Sequence, residues 1–287
     1  MVNEALLMDL ADCGSPERLL GVILDHHHDW TPPVDVEAFA RTVGILEFRD
    51  LEVDGFVGAL MTDMEKTKGI ILSAAGMAPP RRRFTVAHEL GHFLIAAHRG
   101  DKRCTSKDLM ETRRETLHQK EEAQANRFAA GLLMPKPWFA AQTDELGSPE
   151  LAHLRVLAST YSVSMEAAAN RYAELTPETC AFVFVRNGRI RYARPSKTFP
   201  PLSVRSGDAA PTDCQRGGLT AGSWTRADVG AWLRLSEMTR RPDLRLQIVD
   251  QSGGFQTVLL HIDATVHDDD AEEADLIESY TPRFSRR

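Results

Sequence analysis

One segment carries most of the chemical information in this chain, and it reads Arg83-Phe84-Thr85-Val86-Ala87-His88-Glu89-Leu90-Gly91-His92. His88 and His92 are four residues apart, so on a helix both imidazole rings lie on one face and can bind the same ion. Glu89 projects beside them and can accept a proton from a water molecule that the ion activates. The flanking residues are mostly apolar, which predicts a buried metal-binding helix over residues 81–97. Zn²⁺ is the ion that suits imidazole nitrogen in such a motif.

A third protein ligand is expected at a catalytic zinc, and it should come from the next long helix, predicted over residues 115–133. The candidate side chains there are Glu115, His118, Glu121 and Glu122. Glu122 shares a helical stripe with the buried apolar residues, so its carboxylate needs a metal or a cationic partner. We therefore choose Glu122 as the third metal ligand and His118, one turn earlier, as the reserve. The alternative is an ion pair between Glu122 and Arg81 or Arg83.

Three residues near these ligands receive separate predictions. Glu121 is rotated by about 100° from Glu122 around the helix axis, so we expect it to face solvent. His98 follows His92 by six residues and lies off the ligand face of a continuing helix, so we expect an exposed histidine near the helix C-terminus. Asn126 lies near the buried face and is a candidate to orient a metal ligand by a hydrogen bond.

These residues together resemble the ImmA/IrrE family of zinc metallopeptidases. The resemblance rests on the segment 83–92 and on a second segment, Glu122-Ala123-Gln124-Ala125-Asn126-Arg127-Phe128-Ala129-Ala130-Gly131-Leu132-Leu133-Met134-Pro135. It extends over residues 30–175. It implies a zincin-like α/β core, in which a small sheet packs on the metal-binding helix and Glu122 is the third ligand. The family includes peptidases that cleave a helix-turn-helix repressor, and members tied to toxin–antitoxin loci.

The order of helices, strands and turns predicts an α+β fold with several parts. We expect a zincin-like metallopeptidase core with a small sheet and a zinc helix, a helix-turn-helix-like helical extension, and a small C-terminal α/β domain. The predicted parts are an N-terminal helical segment (1–30), the zincin-like metallopeptidase domain (31–145), the helix-turn-helix-like helical unit (146–176), the small C-terminal α/β domain (177–266) and an acidic disordered tail (267–287).

Finer patterns predict individual elements. Helix-like spacing of leucines indicates one helix within residues 4–28. Apolar runs between Gly and Asp predict strands at residues 45–48, 56–61 and 69–73. Asn187-Gly188 is a strong signal for a hairpin turn, and Ser252–Gly254 separates the strands of a second hairpin. Thr225 is a candidate cap for a helix running to about Met238.

The composition excludes several classes of protein. Of 287 residues, 43% are hydrophobic and 26% are charged, as in folded globular proteins. The formal net charge of −7 argues against a surface that binds nucleic acid throughout, and the second helix of residues 151–175 offers little positive charge, so DNA binding is not expected. No apolar run approaches 18 residues and the first 20 residues lack a signal-peptide pattern, so we expect a cytoplasmic protein without a membrane partner.

The sequence thus predicts a zinc-dependent endopeptidase with one Zn²⁺ per chain, although the ligand set would also accept Mn²⁺. His88, His92 and Glu122 would hold the metal, and Glu89 would be the catalytic base. The expected partner is a protein substrate, a regulatory protein such as a transcriptional repressor, and no oligomeric state is predicted. The alternative is a non-catalytic zinc-containing regulatory or antitoxin-type protein that acts by binding protein or DNA.

Overall fold

The computed structural model of the protein describes residues 2–98, 102–104, 116–215, 223–234, 236 and 241–263. The chain divides into two compact units. The first unit comprises residues 1–145 and 154–171, and the second comprises residues 146–153 and 172–287. Each unit contains helices and strands, which confirms the predicted α+β class.

A four-stranded mixed sheet forms one side of the first unit. Its strands are β1 (Ile45–Leu51), β2 (Gly58–Thr62), β3 (Gly69–Ala74) and β4 (Lys102–Cys104), in the spatial order β1-β3-β2-β4. β3 pairs in parallel with β1 and antiparallel with β2, which in turn pairs antiparallel with β4. Burial alternates along β3, with Ile71 fully buried, as expected for a strand with one face in the core.

Helices cover the other side of this unit. They are α1 (Glu4–Ala11), α2 (Pro16–His26), α3 (Val36–Thr42), α4 (Pro79–Leu94) and α5 (Leu117–Leu133). The next three helices, α6 (Lys136–Leu146), α7 (Leu151–Tyr161) and α8 (Met165–Leu175), each have residues in both units. α4 packs against β2 and β3 on one side and against α5 on the other, while α5 also packs against α2. The central position of α4 places Thr85, His88, Glu89 and His92 inside the unit, while the arginines of its first turns remain partly exposed.

The structure differs from the sequence-based expectation at several helix ends. The helix predicted within residues 4–28 is two helices, because Ser15 caps a new start at Pro16 by accepting a hydrogen bond from the backbone of Arg18. α4 ends at Leu94, three residues before the predicted end. Sequence analysis does not predict α6, which begins at Lys136 between Pro135 and Pro137, and proline also favours the first turn of a helix.

The second unit is built on a five-stranded antiparallel sheet. Its strands are β5 (Cys180–Arg186), β6 (Arg189–Pro195), β7 (Thr225–Arg226), β8 (Leu244–Gln251) and β9 (Phe255–Ile262), in the spatial order β6-β5-β9-β8-β7. Asn187 and Gly188 both have positive φ, of 50° and 71°, as a two-residue hairpin turn requires. Both predicted hairpins are confirmed. The fully buried Trp232 lies in the core of this unit.

The helix predicted from Thr225 to Met238 is wrong. Thr225 lies in a strand and pairs with Leu246 of β8, so strand pairing takes precedence over its capping propensity. A short helix, α9 (Val229–Trp232), follows, and the side chain of Asp228 caps it through the backbone N–H of Gly230.

Two other expectations concern the termini and membranes. The predicted acidic tail, residues 267–287, lies outside the described residues. Among the helices that the structure describes, none is long and apolar enough to cross a membrane.

Candidate metal centre

The side chains of the histidine motif lie at the buried centre of α4. His88, Glu89 and His92 are all fully buried. Pro79 and Pro80 occupy the first helical positions, where their missing N–H groups cost nothing. With α4 placed between the sheet and α5, the motif is held between two layers of the first unit.

The third predicted ligand, Glu122, comes from α5. The helix begins with a capping box, in which Thr116 and Gln119 each satisfy the backbone N–H of the other. α4 and α5 approach closely at Gly91, where a Cβ atom would lie 3.2 Å from the Cα atom of Ala125 and 3.1 Å from Phe128. This close approach brings the Glu122 carboxylate next to the two histidines.

The donor atoms of the three side chains converge on one point. The Nε2 atoms of His88 and His92 are 3.1 Å apart. The Glu122 carboxylate places Oε2 at 3.2 Å from His88 Nε2 and Oε1 at 3.3 Å from His92 Nε2. A tetrahedral ion with bonds of about 2.0–2.1 Å separates its ligand atoms by about 3.3–3.4 Å. The spacing therefore fits an ion of that size, and the group can hold a metal ion.

The protonation states of these side chains also suit a cation. Burial lowers the pKa of His92 to about 4, against the opposing effect of Glu122, so this ring is neutral at pH 7. Burial by itself would raise the pKa of Glu122, but its contacts with His88 and His92 outweigh that effect and hold the pKa well below its usual range. The result is an ionised carboxylate facing a neutral imidazole, which is the form in which both bind metals.

The outer nitrogen of each histidine also has a hydrogen-bond partner. His88 Nδ1 lies 2.9 Å from Oδ1 of Asn126, so the contact expected of Asn126 is present. His92 Nδ1 lies 3.0 Å from Nδ1 of His98. The prediction that His98 is exposed is therefore wrong, because α4 ends at Leu94 and the chain then turns the fully buried His98 ring back toward His92. No Gly or Pro between His92 and His98 signals this early end in the sequence.

The reserve candidates for the third ligand occupy different positions. The side chain of His118 is 60% exposed, with Nδ1 at 3.7 Å from Oε1 of Glu122. Glu121 is buried, so the expectation that it faces solvent is wrong. α5 packs against both α2 and α4, which gives it more than one covered face. Glu115 lies outside the described residues.

Two of the three arginines at the start of α4 have partners away from Glu122. Arg83 donates a hydrogen bond to the backbone carbonyl of Val34 at 2.8 Å. Arg82 forms ion pairs with Glu37 and with Asp50. The Glu122 carboxylate instead faces the two histidines, which favours the metal-ligand hypothesis over the ion-pair alternative.

Two residues that the sequence analysis missed shape this region. A Cβ atom at Gly58 of β2 would lie 2.6 Å from Oε1 of Glu89 and 2.5 Å from Cγ2 of Thr85, so a larger residue there would force these side chains to shift. Lys66 donates from Nζ to the backbone oxygens of His92 and His98 at 2.7 Å and of Ile95 at 3.1 Å. A lysine between two strands carries no sequence signal for this capping of α4.

Comparisons with known proteins agree with this geometry. Residues 46–172 match the model of peptidase family M78, described as the IrrE N-terminal-like domain. The radiation response metalloprotease IrrE of Deinococcus radiodurans is 32% identical over 120 residues, which are 42% of this chain and 35% of that protein. The chain thus spans about a third of the length of this curated relative.

A solved structure extends the similarity at the level of the fold. It is described as a Mycobacterium tuberculosis transcriptional regulator and superposes with a TM-score of 0.53 over 93% of this chain and 78% of that chain. At 16% sequence identity the likeness concerns the fold alone. The family match and the convergent His88, His92 and Glu122 side chains lead to one conclusion: residues 46–172 are similar to the IrrE N-terminal-like domain of peptidase family M78.

Proposed function

We propose that this chain is a zinc-dependent endopeptidase with a zincin-like core in residues 31–145, and that it cleaves a regulatory protein. The observation that carries the proposal is the convergence of donor atoms from His88 and His92 of α4 and from Glu122 of α5. Glu89, the neighbour of His88 on α4, is also buried. Two imidazoles and one carboxylate at tetrahedral spacing favour Zn²⁺, and the same set accepts Mn²⁺.

In this proposal His88, His92 and Glu122 hold the ion, and Glu89 is the general base. When bound, zinc supplies Lewis-acid activation of a water molecule and of the scissile carbonyl group. Glu89 accepts the proton of the attacking water and delivers it to the nitrogen of the departing amine. The backbone of Gly58 lies against the Glu89 carboxylate, where a Cβ atom would be 2.6 Å from Oε1.

We propose a transcriptional repressor as the substrate. Support comes from the resemblance stated above and from the 32% identity to a radiation response metalloprotease. Residues 151–175 serve in this proposal as a packing unit and do not read DNA. Arg171, a basic residue of α8, is buried and donates from Nε to the backbone carbonyl of Met134 at 3.1 Å, which supports a packing role.

Metal content and cleavage, measured together, test the proposal. Wild-type protein and the Glu89→Gln variant are purified, their zinc is quantified, and each is incubated with the repressor encoded nearest to the gene. We expect about one zinc per chain in both proteins and cleavage by the wild type alone, because the amide keeps the shape of Glu89 but cannot accept the proton.

Two other results would count against the proposal. If both proteins hold zinc and neither cleaves the repressor, the non-catalytic regulatory or antitoxin-type alternative is favoured. If the wild-type chain holds no metal after purification and reconstitution with zinc, the assignment of His88, His92 and Glu122 as ligands is wrong.

A further inference from the structure

A short chain of hydrogen bonds leads from His92 to α5. His92 Nδ1 lies 3.0 Å from His98 Nδ1, and His98 Nε2 lies 2.9 Å from Oε1 of Gln124. Both rings are fully buried, and Gln124 is half-buried. Lys66 holds the backbone carbonyls of His92 and His98 from one ammonium group, which ties the two ring-bearing residues together.

The Gln124 amide at the end of this chain of hydrogen bonds decides which atom donates in each of them. An amide oxygen only accepts, so Nε2 of His98 carries the hydrogen that it donates to Gln124. A neutral imidazole has one N–H group, so Nδ1 of His98 is the acceptor in its contact with His92. The donor there is Nδ1–H of His92, and Nε2 of His92 therefore keeps its lone pair.

The Nε2 lone pair of His92 lies among the donor atoms that would hold the metal ion. His92 Nε2 faces the Glu122 carboxylate at 3.3 Å and His88 Nε2 at 3.1 Å. The opposite tautomer would place a hydrogen on Nε2, which blocks coordination. A hydrogen bond to the outer nitrogen of a ligating histidine is a general means of fixing its tautomer and orientation.

We propose that His98 and Gln124 are positioning residues that hold His92 in the tautomer whose Nε2 lone pair is available to the metal. This inference rests on the proposed function, because it assumes that His92 is a ligand. His88 is held separately, through Asn126 Oδ1. The arrangement of His92 differs because a second ring lies between the ligand and the amide.

The test compares zinc affinity and tautomer in the full chain. Gln124→Met keeps the length of the side chain and removes the acceptor, and His98→Phe keeps a ring and removes both nitrogens. The matched control is Gln142→Met, which removes another half-buried amide of the first unit, bonded to Thr160 Oγ1 at 3.2 Å. Zinc dissociation constants are measured by competition with a chromophoric chelator, and urea midpoints verify that each variant is folded.

We expect Gln124→Met and His98→Phe to weaken zinc binding by about 10- to 100-fold, and Gln142→Met to leave it unchanged. Nitrogen-15 shifts of His92 in the zinc-loaded protein report which ring nitrogen carries hydrogen and which one binds the metal. Wild type should show hydrogen on Nδ1 and a metal-bound Nε2, and Gln124→Met should show a smaller metal-bound fraction at the same total zinc. A role confined to packing would not change these shifts.

The outcomes separate this inference from the proposed function. Wild-type zinc affinity in folded Gln124→Met, or a His92 hydrogen on Nε2 in the zinc-loaded wild type, would overturn the tautomer inference while the peptidase proposal stands. A wild-type chain that binds no zinc would overturn both.

Discussion

Glu121 and Glu122 are adjacent and both buried, and the Glu122 carboxylate faces the Nε2 atoms of both histidines. Glu122→Gln should lower zinc affinity by at least about tenfold, because the substitution removes the negative charge and one oxygen donor from the ligand set. Glu121→Gln is the matched control and should retain about one zinc per chain. Metal analysis after dialysis against a weak chelator measures both, and equal zinc loss in the two variants would contradict the choice of Glu122.

The residue scale also shows how far the sequence predicts the site. Helical spacing predicts that His88, His92 and Glu122 lie close together, and in the structure their donor atoms are within 4.8 Å of one another, because both helices run without interruption through these positions. His98 could not be placed in this way, since its position depends on a turn of the chain after Leu94. A pattern of spacing describes a regular helix, and it has no information on a side chain that returns after the helix has ended.

At the scale of the helices, the close spacing of α4 and α5 depends on Gly91, which has no side chain. Gly91→Ala should gain up to about 1 kcal/mol from helix propensity. Its Cβ atom, however, would lie 3.2 Å from the Cα atom of Ala125, so α5 must move by a few tenths of an ångström. We expect no net gain in the free energy of unfolding, and weaker zinc binding because Glu122 moves with α5.

Gly21 of α2 provides the comparison for that variant. It also lies inside a helix, but apart from its chain neighbours and the backbone of its own helix no described atom lies within 4 Å of a Cβ atom built on it. Gly21→Ala should therefore raise the free energy of unfolding by about 0.5–1 kcal/mol without changing zinc affinity. Urea unfolding compares the two variants, and an equal gain at both positions would show that the contact of the two helices is loose.

The C-terminal end of α4 depends on a distant lysine. Lys66→Met should lower the free energy of unfolding by roughly 1–3 kcal/mol, because three backbone oxygens at residues 92–98 lose a charged donor. Lys68→Met, at an exposed neighbouring position, should change it by less than about 0.5 kcal/mol. Urea unfolding of metal-free protein measures the difference, and similar values for the two variants would mean that the cap contributes little.

At the scale of the whole molecule, a hydrogen bond between residues far apart in sequence joins residues 146–153 to the sheet of the second unit. Oε1 of the fully buried Gln247 on β8 accepts a hydrogen bond from the backbone N–H of Leu151, 2.8 Å away. Gln247→Leu should lower the free energy of unfolding by about 1–3 kcal/mol, because the buried N–H of Leu151 loses this acceptor. Thermal unfolding tests this, with the exposed Gln251→Leu as the control; equal effects would indicate a minor role for the contact.

The same contact shows why the organisation of the chain is harder to predict than its elements. The hairpin at Asn187-Gly188 follows from two residues whose φ values are positive, so the local sequence suffices to predict it. The second unit, in contrast, draws residues 146–153 to a sheet whose strands begin at Cys180. Such pairing depends on tertiary contacts, and no local pattern within residues 146–153 identifies it.

The division of the proposed ligands between α4 and α5 also affects how much a bound ion would stabilise the folded chain. His92 and Glu122 are separated by 122 − 92 = 30 positions along the chain. An unfolded chain would have to close that loop before the ligands could meet, at an entropic cost of roughly 3–4 kcal/mol in the chain-entropy model. An ion would thus bind the folded chain in preference, adding about 2.7 kcal/mol of stability at 100 times its dissociation constant. Degradation of the protein in the cell would then slow as the supply of free zinc rises.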